Sequence, residues 1–274
     1  MSSISIPLSL VEVGYDTLDF GYEVEILYAG NYLDWLNIMW YSEPPTNINY
    51  FSNLPDHVAE NGLLYTYYDD FSYKCTSAEN INTSHVIIAD YINGLPVVSV
   101  GRYAFCHETV HNMVETIVIP NTVETIGTGA FAPGSPDDGM GDPSYLTSTI
   151  KHIDIADGVS FIGSYAFYYC TGLTSITIPD SIKSISQFAF EGCIRLTSID
   201  IGAGVMSIGQ YAFGPLGWFD PCTVIFKGTP NGIGEHAFSC YNGTGSVMYV
   251  PWSEGEIDNA PWGFEDEIIY NYTA

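Results

Sequence analysis

The chain has 274 residues, 46% of them apolar, so it can bury a sizeable core in one large domain or two small ones. Six Lys and Arg stand against 32 Asp and Glu, and the formal net charge of -26 repels nucleic-acid phosphates and anionic membrane surfaces. No apolar run reaches the ~18 residues that a membrane span needs. We therefore expect neither a nucleic-acid partner nor insertion into a membrane.

The chain begins with a strand-like pattern. Ile4 and Ile6 alternate with serine, and Val13 follows seven residues after Ile6. No cap is visible before this strand, and no basic region of a signal peptide is present. This predicts either a fragment of a longer protein or a strand edge open to self-association.

Residues 85–250 repeat one pattern of apolar residues. Each copy has an apolar pair spaced by one residue, an apolar residue seven positions later and a Phe five positions after that. Ile176 and Ile178, for example, are followed by Ile185 and Phe190, and the next copy starts 23 residues on. The same two intervals lead to Phe131, Phe167, Phe190, Phe213 and Phe238.

The repeated residues predict a solenoid. In an Ile-x-Ile strand both isoleucines point to one face, so Ile176 and Ile178 face inward and Thr177 faces outward. Ala-Phe places a small residue beside a ring that fills the coil. One coil cannot bury these groups alone, whereas stacked coils can. We predict a β-rich solenoid of about 23-residue coils, with short strands in a parallel sheet.

Only the return from each Phe to the next strand varies in length. The longest return, residues 132–149, is rich in Gly, Pro and Asp, and is expected to be a surface loop outside the stack. Its acidic residues Asp137, Asp138 and Asp142 lack the regular oxygen spacing of an EF-hand. A solvated loop is therefore favoured over a calcium site.

The copies LTSITIPDSIKSISQFAFEGC and LTSIDIGAGVMSIGQYAF resemble the BspA-type leucine-rich repeat. The resemblance covers most of residues 85–250 and implies a leucine-rich-repeat solenoid. By the same resemblance, residues 59–84 are a β-hairpin that caps the start of the stack. Residues 251–274, with Trp252 and Trp262, are a C-terminal capping unit. Residues 1–58 are the end of a first stack of variant leucine-rich-repeat units.

No motif in the sequence predicts catalysis, a cofactor or a metal. The six histidines, which have unlike places in the repeat and are interpreted as solvated loop residues, are His57, His85, His107, His111, His152 and His236. Asp154 and Asp200 are two coils apart, about 9.6 Å, which is at the outer limit for an inverting glycosidase. The six cysteines include no CxxC, and we expect them to be unbridged, with Cys170 and Cys193 buried at equivalent places in adjacent coils.

What remains is the outward face of the strands. One outward residue from each successive strand is expected to lie on one continuous sheet, and these residues are the candidate binding site: Val118, Asp154, Thr177, Asp200, Ile225 and Tyr249. The resemblance implies a non-catalytic adhesion scaffold that presents this face to a protein ligand from a host or a cell surface. The alternatives are a structural component of a particle or filament, as in a phage tail, and a carbohydrate-binding module. The expected location is extracellular, at the cell surface or on a virion.

Overall fold

The fold is taken from a computed structural model of the chain. It describes residues 3–6, 12–13, 25–28, 39–40, 57–69, 72–78, 81–134, 147–216, 220–240, 245–258 and 262–273. One short helix, α1, spans Glu108–Met113 in this part of the chain.

The strands of the described residues are short and follow one another closely along the chain. They are β1 (Ser3–Ile6), β2 (Glu12–Val13), β3 (Glu25–Tyr28), β4 (Met39–Trp40), β5 (His57–Glu60), β6 (Leu63–Asp69), β7 (Ser72–Ser77), β8 (His85–Ile87), β9 (Tyr91–Ile92), β10 (Leu95–Val100), β11 (Thr116–Ile119), β12 (Thr125–Ile126), β13 (His152–Ile155), β14 (Phe161–Ile162), β15 (Ser175–Ile178), β16 (Ser184–Ile185), β17 (Ser198–Ile201), β18 (Ser207–Ile208), β19 (Thr223–Phe226), β20 (Gly232–Ile233), β21 (Val247–Tyr249) and β22 (Glu267–Ile269).

From β11 to β20 each coil contributes one longer strand and one two-residue strand. The longer strands pair in parallel with equivalent residues side by side, so that Ile176 pairs with Ile199 and Ile199 with Val224. The two-residue strands form a separate parallel sheet that runs from β20 through β18, β16, β14 and β12 to β10. We call this the second sheet. Equal intervals in the sequence thus produce equal heights in the stack.

The expected single continuous sheet of longer strands is wrong. These strands form two sheets, β8–β11–β13 and β15–β17–β19–β21–β22, with no ladder between β13 and β15. In other coils the residue after the strand donates to the coil before it: Ala156 N–H to Ile119 O at 3.1 Å, and Gly202 N–H to Ile178 O at 2.8 Å. Pro179 follows β15 at the same place and has no N–H, which removes one bond at the break.

The core is a ladder of phenylalanine rings. Successive rings stack at centroid distances of 4.7 Å for Phe105 and Phe131, 4.8 Å for Phe167 and Phe190, and 4.9 Å for Phe190 and Phe213. All of these side chains are fully buried, together with the inward isoleucines and the alanines before each Phe. Each buried side chain of this size is worth roughly 1.5–3 kcal/mol. The predicted β-rich solenoid of stacked coils is confirmed.

Antiparallel strands precede the repeats. β5 pairs with β6, and β6 with β7, while β7 pairs in parallel with β10 at the start of the second sheet. Further towards the N-terminus, β1 pairs in parallel with β3, and β2 with β4. The division of the chain at residues 58, 84 and 250 stays a prediction.

The prediction that residues 132–149 lie outside the stack is wrong at both ends. Ala132 and Ser148 are buried. Thr149 N–H donates to His111 O at 2.8 Å, and Thr149 Oγ1 donates to Val114 O at 2.7 Å. Backbone that returns to a coil must pair its polar groups, so the ends of a long return become part of the stack. Residues 135–146, which include Asp137, Asp138 and Asp142, lie outside the described residues.

Candidate binding face

The six predicted face residues lie in register within each of the two sheets. Val118 pairs with Asp154 in the first sheet. In the other sheet Thr177 pairs with Asp200, Asp200 with Ile225 and Ile225 with Tyr249. The residues on either side of each position along the strand are buried isoleucines or their equivalents, so the alternation predicted for the strands holds. We call these six residues the sheet face.

Exposure varies along the sheet face. Asp154 and Thr177 are exposed, whereas Val118, Asp200, Ile225 and Tyr249 are half-buried. The row also extends beyond the residues that the sequence pattern selected. Ile87 pairs with Val118 and is 67% exposed, and Ile269 pairs with Tyr249 at the other end. Both lie in strands that do not follow the repeat intervals, so only the pairing identifies them.

The two carboxylates of the sheet face differ in their partners. Asp200 Oδ2 lies 3.7 Å from Lys227 Nζ. The Asp200 side chain is 34% exposed and the Lys227 side chain 42%. Such a pair contributes little to stability because water screens it. Asp154 makes no ion pair with any residue that the structure describes. The distance of about 9.6 Å predicted between Asp154 and Asp200 assumed a continuous ladder, and the break between β13 and β15 removes that basis.

A column of aromatic rings, missed in the sequence, lies on another side of the coils. Tyr165, Phe188, Tyr211 and His236 each precede the Ala of the Ala-Phe pair and have positive φ values of 54–60°. Their rings stack at centroid distances of 4.9, 5.5 and 5.1 Å. We call these four residues the aromatic column. Its inner rings have both faces covered, so they cannot offer a flat face to a ligand.

His111 corrects the interpretation of the histidines as solvated. It lies on α1 and is only 3% exposed. Its Nδ1 is 3.0 Å from Ser148 Oγ and its Nε2 is 2.8 Å from Phe105 O. Since a carbonyl only accepts, Nε2 carries the proton and Nδ1 accepts from the serine. Burial, the largest cause, lowers the pKa of His111 to about 4, so the ring is neutral at pH 7.

Of the other histidines, His85, His107 and His152 are exposed, and His236 is half-buried in the aromatic column. The side chain of His57 lies outside the described residues. The signal for His111 was its spacing of four from His107 next to an apolar Val110, which is typical of a helix with one buried face.

The cysteines are placed as the repeat predicts. Cys170 and Cys193 are buried, and their thiols donate to Phe131 O at 3.3 Å and Phe167 O at 3.2 Å, in adjacent coils. All six cysteines lie in the described part of the chain, and none is in a disulfide there. Burial raises the pKa of the Cys170 thiol to about 12, so it stays protonated and unreactive.

Two further searches were limited to the described residues. No group of three or more His, Cys, Asp or Glu side chains in them could hold a metal ion. The same residues include no helix with the length and apolar character to cross a bilayer.

Stacked coils with short parallel strands and an internal ladder of phenylalanines define a solenoid repeat protein. A family model for the BspA type leucine rich repeat region matches this chain in six copies, at residues 98–135 and 140–248, which is more than half of its length. The chain belongs to the BspA-type leucine-rich-repeat family. Among curated proteins, none matches it significantly.

Several solved structures match the chain at low identity. A leucine rich cell surface protein from Faecalibacterium prausnitzii is 22% identical with a TM-score of 0.45, and the match covers 69% of this chain and 53% of that protein. The chain thus spans about half of that relative's length. A leucine-rich repeat protein of T. pallidum is 20% identical, with a TM-score of 0.42 and coverage of 69% and 86%. A leucine-rich repeat protein from Bacteroides capillosus is 19% identical, with a TM-score of 0.39 and coverage of 64% and 100%.

Proposed function

We propose that this leucine-rich-repeat scaffold is a non-catalytic binding or adhesion protein whose sheet face docks a protein ligand. The observation that carries the proposal is the register of the outward side chains. Thr177, Asp200, Ile225 and Tyr249 stand in one row, and each is fixed by a ladder to its neighbour. A rigid row of this kind loses little conformational entropy on binding, which favours affinity.

The chemistry of the row supports a basic partner protein. Asp154 and Asp200 are the charged groups of the sheet face, and the chain carries a net charge of -26. Ile225, Tyr249 and Ile269 provide apolar contact area at one end, as in the core of a protein interface. Electrostatic attraction should raise the association rate with a basic partner, and this rate should fall as salt screens the charges.

A glycan ligand is the alternative, and the aromatic side chains weigh against it. Sugar binding uses exposed ring faces. The inner rings of the aromatic column are stacked on both faces, and the Tyr249 ring lies 4.8 Å from Tyr272 at a tilt of 52°, which covers one side. On these particular rings, the contacts leave little flat surface for a pyranose.

The experiment is a binding screen with a matched pair of variants. The test variant is Asp154→Ala, Asp200→Ala and Tyr249→Ala together. The control variant changes three exposed residues on the side of the second sheet, Glu124→Ala, Phe161→Ala and Met206→Ala. The unaltered chain and both variants are applied to arrays of extracellular proteins and of glycans at 50 and 300 mM salt.

We expect at least one protein to bind the unaltered chain and the control variant, with affinity at least tenfold weaker for the test variant and weaker at high salt. Equal affinity for the test variant would contradict docking on the sheet face. Binding to glycans alone, insensitive to salt, would favour the carbohydrate-binding module instead.

We also propose an extracellular or cell-surface location, because a surface poor in charge and rich in Ser, Thr, Asn, Gly and Tyr is typical of such proteins. Antibody labelling of intact cells tests it. Self-association through β1, with Ile4 and Ile6, is a separate proposal, as is a role as a particle or filament component. Sedimentation of the full chain across a hundredfold concentration range distinguishes a monomer from an assembly.

A further inference from the structure

One repeat position carries a charge in a single coil. The position directly after the Phe of each Ala-Phe pair is half-buried or buried in every coil. Its residues in successive coils are Cys106, Ala132, Tyr168, Glu191, Gly214 and Ser239. Glu191 is the only carboxyl group among them.

Three tyrosine rings of the preceding coil lie together, next to the coil that carries Glu191. Tyr165 and Tyr168 meet edge to face with centroids 5.4 Å apart, and Tyr168 and Tyr169 lie 4.5 Å apart. Tyr169 N–H donates to the Glu191 carbonyl at 2.8 Å. The Glu191 carboxylate is close enough to Tyr165 and Tyr168 to raise the pKa of both hydroxyls, after the larger effect of their burial.

The residues next to Glu191 keep this arrangement open. Gly192 has φ +77°, and a Cβ there would lie 2.5 Å from the Tyr169 ring, so only glycine lets the ring lie across the backbone. In the following coil, Gly214 has the place that Glu191 has here, directly after the Phe. Its carbonyl oxygen accepts a hydrogen bond from Gly192 N–H at 3.0 Å. The following coil therefore places no side chain at this position.

The Glu191 carboxylate is half-buried and makes no hydrogen bond or ion pair with any residue that the structure describes. Burial alone raises the pKa of Glu191 to about 7. The carboxylate oxygens are not among the buried polar atoms that lack a partner, so solvent, and therefore a ligand, can reach them. Partial burial still makes the ionised form less favourable than it is in water. A cationic ligand would supply the missing partner.

We propose that Glu191, with Tyr165, Tyr168 and Tyr169, forms a binding site for one guanidinium group, as carried by an arginine side chain of a ligand. A carboxylate matches the two-pronged donors of a guanidinium, and tyrosine rings favour a planar cation. The chain itself has only six Lys and Arg, and its net charge of -26 attracts cations. This site lies on the return side of the coil and is independent of the sheet face.

The experiment titrates the full-length chain with N-acetyl-arginine amide and follows the side-chain NMR signals of Glu191 and the three tyrosines. N-acetyl-citrulline amide, which has the same shape without the charge, is the control ligand. At pH 8 we expect a saturable shift for the arginine compound, with a Kd of about 1–10 mM for a single ion pair with stacking, and none for citrulline.

Two further measurements isolate Glu191. Glu191→Gln keeps the shape and removes the charge, and it should weaken binding at least fivefold, whereas the exposed control Glu124→Gln should leave it unchanged. On the unaltered chain at pH 5.5, most Glu191 carboxyls are protonated, so the apparent affinity should fall at least tenfold. Binding that does not saturate by 50 mM at pH 8, or equal binding by citrulline or by Glu191→Gln, would overturn the proposal.

Discussion

Phe105 and Phe190 have equivalent places in their coils, but the returns that follow them bury two different ionisable groups. After Phe105 it forms α1 and encloses His111, which has a partner at each ring nitrogen. After Phe190 it turns at once and leaves Glu191 half-buried with no partner that the structure describes. The strands and rings are constant between these coils. The returns therefore decide which polar groups are buried and how well they are satisfied.

The difference has opposite consequences for pH. His111 is held neutral, so acid opposes its burial, whereas Glu191 prefers to be neutral, so alkali opposes its burial. Hydrogen bonds at both ring nitrogens offset the cost of burying His111, while no described side chain offsets the partial burial of the Glu191 carboxylate. A polar group that is paired internally stabilises the coil, and one left unpaired is available to a ligand.

The largest expected effect lies in the constant part that both coils share. Phe190→Ala should lower the free energy of unfolding by about 3–5 kcal/mol, because it leaves a cavity between two stacked rings. Thr177→Ala, on the outward side of a strand, should cost less than about 0.5 kcal/mol. Urea denaturation of both variants measures the difference, and equal losses would contradict the assigned inward and outward sides.

The next effect tests the buried histidine. Its pKa is about 4 in the folded chain against 6.5 when unfolded, so the unfolded state takes up a proton first as pH falls. The contribution of neutral His111 to the free energy of unfolding should be fully present above pH 6.5. It should decline towards pH 4, by on the order of 3 kcal/mol in total. Urea denaturation between pH 4 and 8 measures it.

His111→Ala is destabilised at every pH because Phe105 O and Ser148 lose a partner, but its slope over this range should be smaller. The exposed His152→Ala is the control and should keep the original slope. An unchanged slope in His111→Ala would mean that other groups cause the acid dependence.

A smaller and opposite effect is expected at Glu191. Its pKa is raised from 4.5 to about 7, so the stability that it contributes is fully present below pH 4.5 and is lost as pH rises through 7. Glu191→Gln should therefore raise the midpoint of thermal unfolding at pH 8 and change little at pH 4.5. A lower midpoint at pH 8 would show that the carboxylate has a stabilising partner.

The smallest expected effect is a difference in the reaction rates of two cysteine thiols, which involves no change in the stability of the fold. Cys106, after Phe105, is half-buried, whereas Cys193, after Phe190, is buried. With a thiol reagent on the native chain, Cys106 should react well before Cys193, because burial raises the pKa of the Cys193 thiol and blocks access. Denaturation without reductant should then make all six thiols reactive, and a count of zero would reveal disulfides.

The sequence alone determined the repeating half of this protein. The intervals of seven and five residues placed Ile178, Ile185 and Phe190 on the inside of a coil, and their recurrence predicted that the coils stack. The structure realises this stacking as the Phe ladder and the pairing of Ile176 with Ile199. This succeeds because strand alternation and stacking are local rules that every coil obeys in the same way. The outward row from Thr177 to Tyr249 followed from the same rules.

The tertiary structure decided what depends on the particular residues that meet between coils. The burial of His111 against Ser148 occurs in a return of unusual length. The break between β13 and β15 and the tyrosines next to Glu191 occur at the regular interval of 23 residues and depend on which side chains occupy it. Ile87 joined the face only because β8 pairs with β11 outside the repeat intervals. Burial, hydrogen bonding and pKa values are properties of such contacts, and a periodic pattern contains no information about the residues that interrupt it.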